Sequence, residues 1–326
     1  MKIITMEEHY GHAAISKAGE ENLKKLVPDF AAAFGNRRTF ELLFDLDNER
    51  IKAMDEDHIW VQVLSNTSAQ MVGPDKAVEV CKQANDYLAE AIIRHPDRFV
   101  GLAAIPTAVP EACAEELKRC VTELGFAGAQ ISGRTDGKFL DDPCYEVFLA
   151  MAEELDVPIY LHPGFPPAQV KEQCYEGNLS LAVSTRMATS GYGWHVDAGT
   201  QMLHMVLSGT FDKFPKLQMI LGHWGETLTY FFDRFDSTFA AEMTGLKKKP
   251  SDYLKENMYI TPSGMFTQAL LDMCVKTIGI DRILFSVDYP YVSTKEAENF
   301  ILNSSLSEEE KEKFAHLNAE KLLKLK

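Results

Sequence analysis

Six residues in this chain have the type and spacing to do chemistry together: Glu7 and His9 in MEEHY, His162 in YLHP, His223 and Glu226 in GHWGE, and Asp288 in VDYP. Each follows a short apolar run that has the look of a β-strand. Side chains two apart on a strand point to the same side, so Glu7 and His9 can face one space together while Glu8 turns away. Glu-x-His is then a chelating pair. With the imidazole of His162 and the carboxylate of Asp288 it makes a mixed nitrogen and oxygen donor set, suited to one divalent ion: zinc, manganese or magnesium. Polar residues at strand ends are common and any one alone means little, but four brought to the same end of one sheet point to a metal site. His223 is a further base or ligand at that end. Glu226, at the expected start of the next helix, is either an N-terminal cap or the carboxylate that orients His223.

Something must carry these residues to one place. Eight short β-rich runs alternate with helical patterns along the 326 residues, the signature of βα units around a parallel sheet. They lie near Ile3–Met6, Ile59–Leu64, Phe99–Ala104, Gly128–Ile131, Pro158–Leu161, Leu217–Leu221, Met258–Ile260 and Ile283–Val287. Helices are expected over Asp75–Arg94, Pro110–Leu124, Cys144–Leu155, Gln201–Phe214 and Gln268–Ile278. The fold class is therefore α/β: a (β/α)8 TIM barrel in a single domain spanning 1–326, whose working residues sit at the C-terminal ends of the strands. An insertion after strand 1, within 8–58, should cap the mouth and lead into the first barrel helix. The tail from Ser307 is expected to form a capped C-terminal helix. His12 and His195 follow strand segments and could line the mouth and touch substrate; His58, His95, His204 and His316 fit surface or helical contexts.

The balance of 33 basic and 48 acidic residues leaves a net charge of -15, which disfavours nucleic acid and anionic membranes as partners. A small carboxylic acid remains possible, because a bound cation dominates its own pocket. The six cysteines include no CxxC pair and fit reduced thiols of a cytoplasmic protein. The amino terminus meets acidic residues and a histidine before any signal-like apolar stretch, and no run of about 18 apolar residues suggests a transmembrane helix.

These motifs carry a resemblance. MEEHY (6–10), DNERIKAMDEDHIWVQVLS (47–65), ANDYLAEAIIRHPDRFVGLAAIP (84–106), VPIYLHP (157–163), GTFDKFPKLQMILGHWGE (209–226) and DRILFSVDYP (281–290) resemble the metal-dependent decarboxylase branch of the amidohydrolase superfamily, over nearly the whole chain. That branch includes γ-resorcylate, 2,3-dihydroxybenzoate, 5-carboxyvanillate and aminocarboxymuconate semialdehyde decarboxylases. The resemblance implies one divalent metal on Glu7, His9, His162 and Asp288, with His223 and Glu226 beside it, in a homodimer or homotetramer whose barrel mouths approach one another. Arg50 and Arg234 would then be carboxylate clamps. Glu-x-His in place of the more general His-x-His points towards the benzoate decarboxylases. The implied reaction is non-oxidative decarboxylation of a hydroxylated aromatic acid, with Asp288 as proton donor. Two readings compete with it: a lactone or amide hydrolase on the same site, and a non-catalytic barrel that only binds.

Overall fold

The computed structural model describes residues 1–27 and 37–325. Parallel strands succeed one another around a closed wall: β1 (Ile4–His9), β2 (Val61–Ser65), β3 (Phe99–Gly101), β4 (Ala103–Ala104), β5 (Ala129–Ser132), β6 (Ile159–His162), β7 (Met219–Leu221) and β8 (Met258–Ile260). They pair in the order β1-β2-β3 and β4-β5-β6-β7-β8. β3 and β4 together are the third barrel position, interrupted only at Leu102, whose N–H still donates to the Leu64 carbonyl. The eighth position is the extended segment 283–289. It closes the ring by bonds on both flanks: Leu284 N to Ile260 O at one side, Met6 N to Phe285 O and His9 N to Tyr289 O at the other. The architecture is the expected (β/α)8 TIM barrel.

Two apolar layers hold it. Residues on one side of the strands, including Met6, Val63, Leu102, Tyr160, Ile220, Tyr259 and Leu284, fill the barrel interior, joined by Ala319 and Leu323 of the C-terminal helix. The alternate positions, such as Ile131, Ile159, Leu161, Leu221 and Ile260, pack outward against the helices. This period of two is what a strand buried on both faces requires. β1 breaks it once. The register with β2 slips between Thr5 and Glu8, a bulge that puts both Met6 and Glu7 on the inner side.

Where the elements differ from expectation, local chemistry explains it. β1 runs on to His9, so Glu7 and His9 lie within the strand and not after it. The helix expected over Gln201–Phe214 starts earlier, at Gly193–Leu207, and a short turn Thr210–Lys213 comes after Gly209; Gly209 at φ 77° ends the first helix, a backbone state glycine adopts without penalty. The insertion holds helices Ala13–Leu26, Arg37–Phe44 and Glu49–Glu56; the part of the expected cap at 31–36 lies outside the described residues. The tail carries the expected capping box between Ser307 and Glu310. Among the described residues no helix is long and apolar enough to cross a membrane.

Candidate metal centre and proton-handling pair

Glu7, His9, His162 and Asp288 converge at the C-terminal rim, one ligand atom from each lying within 4.8 Å of all the others. Their neighbours decide which atoms are offered. His9 Nδ1 is 3.2 Å from Ser65 Oγ, which itself donates to the Glu8 carbonyl at 3.4 Å; the hydroxyl proton is spent, so His9 donates from Nδ1. His162 Nδ1 donates to the Pro163 carbonyl at 2.7 Å. Both rings therefore present a bare Nε2, the tautomer that metal-binding imidazoles are held in by such outer partners. One oxygen of Glu7, Oε2, receives the hydroxyls of Tyr160, Ser263 and, at 3.3 Å, Thr261.

The remaining atoms test whether a cation fits. Among the described residues, Glu7 Oε1 and His9 Nε2 are buried without a hydrogen-bond partner, although His162 Nε2 is 3.2 Å from the first and Asp288 Oδ1 is 3.0 Å from the second. Lone pairs this close that do not bond each other are aimed at a common point. A buried polar atom left unpaired costs about 1–3 kcal/mol, and a divalent cation at that point would offset the cost for both Glu7 Oε1 and His9 Nε2. The residues fit the ion. Burial, and then the negative charge of Glu7, push the Asp288 carboxyl well above the usual carboxylate range. Burial also acts to raise Glu7, but the positive charge of the His223 imidazole outweighs it and holds Glu7 below its ordinary value.

Asp288 is aimed by backbone. Its φ is 69°, its N–H donates to the Glu7 carbonyl at 2.9 Å, and Glu8 pins the residues on either side: Val287 N and Tyr289 N each donate to its carboxylate at 2.9 Å. Glu8 thus turns away from the axis, as expected, and fastens the eighth position to the first. Burial raises its carboxyl to about 8.

His223 and Glu226 form a second group with His195. Glu226 Oε1 is 2.8 Å from His223 Nδ1, and Oε2 is 2.8 Å from His195 Nδ1. Burial opposes a charge on His223, but the carboxylates of Glu226 and Glu7 outweigh it and push the imidazole up to about 10. Glu226 caps no helix. GHWGE is a left-handed turn, with positive φ at His223, Trp224, Gly225, Glu226 and Thr227, held by Trp224 N to the Thr261 carbonyl and His223 N to Ser263 Oγ, both 2.8 Å. Non-glycine residues in that region are costly and persist where surroundings enforce them. Gly222 is required for space: a Cβ there would lie 2.6 Å from Ser263 Oγ and 2.8 Å from Glu7 Oε2.

The other expected site residues separate. Arg50 is a correction: it is fully buried, and its guanidinium donates to the carbonyls of His9 (2.6 Å), Asp45 (3.1 Å) and Leu42 (3.3 Å) and to Gln62 Oε1 (2.9 Å). Its donors fasten the wall behind β1 and are not turned to the mouth. Arg234 is exposed on the helix Phe232–Thr238. His12 precedes the helix Ala13–Leu26, its ring 5.4 Å from that of Tyr87 and its Nδ1 buried without a partner among the described residues. His58, His95 and His316 pair with Glu298, Asp47 and Glu312, and His204 stacks on Phe139. Tyr160, Thr261, Ser263 and Ser65 were not singled out from sequence. The period of two offers a signal for three of them, since Tyr160 stands two before His162 and Thr261 two before Ser263 at the end of β8.

A family model described as amidohydrolase matches residues 47–325. The chain belongs to the amidohydrolase family. Among curated relatives it is 37% identical to decarboxylase orsB of Emericella nidulans (99% of this chain, 97% of that one) and 36% identical to γ-resorcylate decarboxylase of Rhizobium sp. (99% and 98%). Among solved amidohydrolase-type structures, dihydroxybenzoic acid decarboxylase from Polaromonas sp. JS666, with manganese and the inhibitor 2-nitroresorcinol bound, superposes with a TM-score of 0.87 at 33% identity, covering 99% of this chain and 97% of that one.

Proposed function

We propose that this amidohydrolase is a metal-dependent, non-oxidative decarboxylase of a hydroxylated aromatic carboxylic acid. The observation that carries the reading is the convergence of bare Nε2 atoms on His9 and His162 with Glu7 Oε1 and Asp288 on one point, in a chain 36% identical to a γ-resorcylate decarboxylase along its length. Glu7, His9, His162 and Asp288 would hold one divalent ion, manganese or zinc. When bound, that ion supplies Lewis-acid compensation for the negative charge of the substrate.

The chain's own residues then divide the work. Asp288 stands at the mouth with its side chain partly accessible and holds a proton on its carboxyl. It delivers that proton to the ring carbon bearing the carboxylate. The bond from that carbon to the carboxylate breaks, its electron pair returns to the ring and restores aromaticity, and carbon dioxide leaves; Asp288 regains its proton from water. His223, held by Glu226, orients a substrate hydroxyl. Such positioning alone can lower a barrier substantially.

Arg234, exposed on its helix, would serve a substrate carboxylate of a neighbouring copy in a homodimer or homotetramer. A cytoplasmic location is supported by six unpaired cysteines, four of them buried. The deciding experiment is turnover of dihydroxybenzoates in heavy water. The expected result is carbon dioxide release and one deuterium at the vacated ring position, lost in Asp288→Asn. Acid release from lactones, with no carbon dioxide and no ring label, would establish hydrolysis instead.

A further inference from the structure

Glu226 sits between two imidazoles, and a carboxylate only accepts. Each ring must therefore present an N–H at Nδ1: His223 to Oε1 and His195 to Oε2, both at 2.8 Å. The rings lie close, centroids 4.3 Å apart and tilted by 62°, so where a proton resides depends on the second nitrogen of each. Among the described residues His223 Nε2 has no hydrogen-bond partner. His195 Nε2 has two candidates, and they make opposite demands.

Trp194 Nε1 lies 3.0 Å from it. An indole N–H only donates, so that contact needs a lone pair on Nε2. The Ser190 carbonyl lies 3.3 Å from the same nitrogen and would need an N–H there. Both cannot be served at once. The indole contact is the shorter, and the Trp194 ring is braced edge-on by Phe165 at 6.0 Å. His195 also stands in the first turn of the 15-residue helix Gly193–Leu207, where partial positive charge from unpaired N–H groups makes a cationic ring unwelcome. We infer that Trp194, by donating to Nε2, keeps that nitrogen of His195 free of a second proton, so that the ring stays a neutral Nδ1–H donor that holds Glu226 in place beside His223. His195 is on this account a positioning residue and not a substrate contact. The inference rests on the reading of His223 and Glu226 as the proton-handling pair of the mouth.

The test reads the ring nitrogens directly. Enzyme labelled with 15N at histidine and loaded with zinc, a diamagnetic ion, is examined by heteronuclear NMR at neutral pH, with His195 assigned by the signals lost in His195→Asn. The expected pattern is a protonated Nδ1 and a bare Nε2 on His195. A protonated Nε2, with or without a second proton, would overturn the inference in wild type alone, whether or not any variant folds. In Trp194→Phe the ring should gain a second proton at Nε2, accepted by the Ser190 carbonyl, while keeping Nδ1–H on Glu226, and turnover should fall by about tenfold, the scale of one hydrogen bond, as the charged ring draws Glu226 away from His223. A ring pattern in Trp194→Phe identical to wild type, or turnover unchanged, would equally overturn it. The NMR pattern is independent of which substrate is turned over, so its failure is distinct from failure of the decarboxylase reading.

Discussion

Replacing Arg50 by methionine separates two jobs that its guanidinium could do, and the structure gives the size of the effect. Four acceptors lie on it, but the Asp45 and Leu42 carbonyls are only part-buried and can turn to water. The His9 carbonyl at 2.6 Å and Gln62 Oε1 at 2.9 Å are fully buried and would be stranded. Hydrogen bonds to a charged donor contribute about 1.5–3 kcal/mol each, and a buried acceptor left alone costs about 1–3 kcal/mol. Two such sites give a loss of about 3–5 kcal/mol, a large share of the roughly 5–15 kcal/mol that keeps a domain folded. Urea unfolding of the metal-saturated protein, monitored by tryptophan fluorescence, should show a midpoint lower by about 1 M or more if the slope is about 3 kcal/mol per M. The KM for the carboxylic acid should stay within about twofold in the folded fraction, because the guanidinium does not reach substrate. An unchanged midpoint together with a tenfold rise in KM would refute this and return Arg50 to the role of carboxylate clamp.

His162→Ala should lose bound metal, measured by elemental analysis after gentle purification, and activity with it; full metal content would make His162 a bystander. His223→Asn should keep the metal while turnover drops by roughly 10²- to 10⁴-fold, the usual range for a lost acid or base, and unchanged kcat would leave it structural. Gly222→Ala should weaken metal retention against a chelator, because its methyl needs the space that Glu7 Oε2 and Ser263 Oγ occupy; retention equal to wild type would show that the turn yields without moving Glu7.

The barrel and the four converging residues were legible because both rest on short-range periodicity. Apolar runs of three to six residues separated by helical patterns specify parallel strands, and strand direction alone sends the polar residues at the end of each run to one rim. Arg50 was misplaced for a physical reason: a guanidinium that reaches a substrate and one that ties backbone carbonyls leave the same trace in a sequence, and only the fold shows that Asp45, His9 and Gln62 come first. Glu226 was ambiguous because GHWGE has the composition of a helix start. Its left-handed backbone is imposed by Thr261 and Ser263, some forty residues on, which no local propensity records. The tie between Trp194 and His195 had no sequence signal, since adjacent residues on a helix do not ordinarily face each other.

β1 shows how a barrel can offer a carboxylate where its apolar packing also needs Met6. Strict alternation would send Ile4, Met6 and Glu8 inward and leave Glu7 in the wall. The slip between Thr5 and Glu8 changes the phase, so Glu7 and His9 reach the axis while Glu8 turns into the wall and finds Val287 N and Tyr289 N. The same bulge therefore delivers two candidate ligands and, through Glu8, grips the backbone on both sides of a third. Using a carboxylate inside the barrel brings a further demand, because its second oxygen is buried. Tyr160, Thr261 and Ser263, from β6 and the end of β8, meet that demand with hydroxyls and leave Oε1 as the one atom of Glu7 free for a cation. The Glu-x-His pair is thus a property of three strands acting together, and the hydroxyl trio is as much part of the metal centre as the residues that would touch the ion.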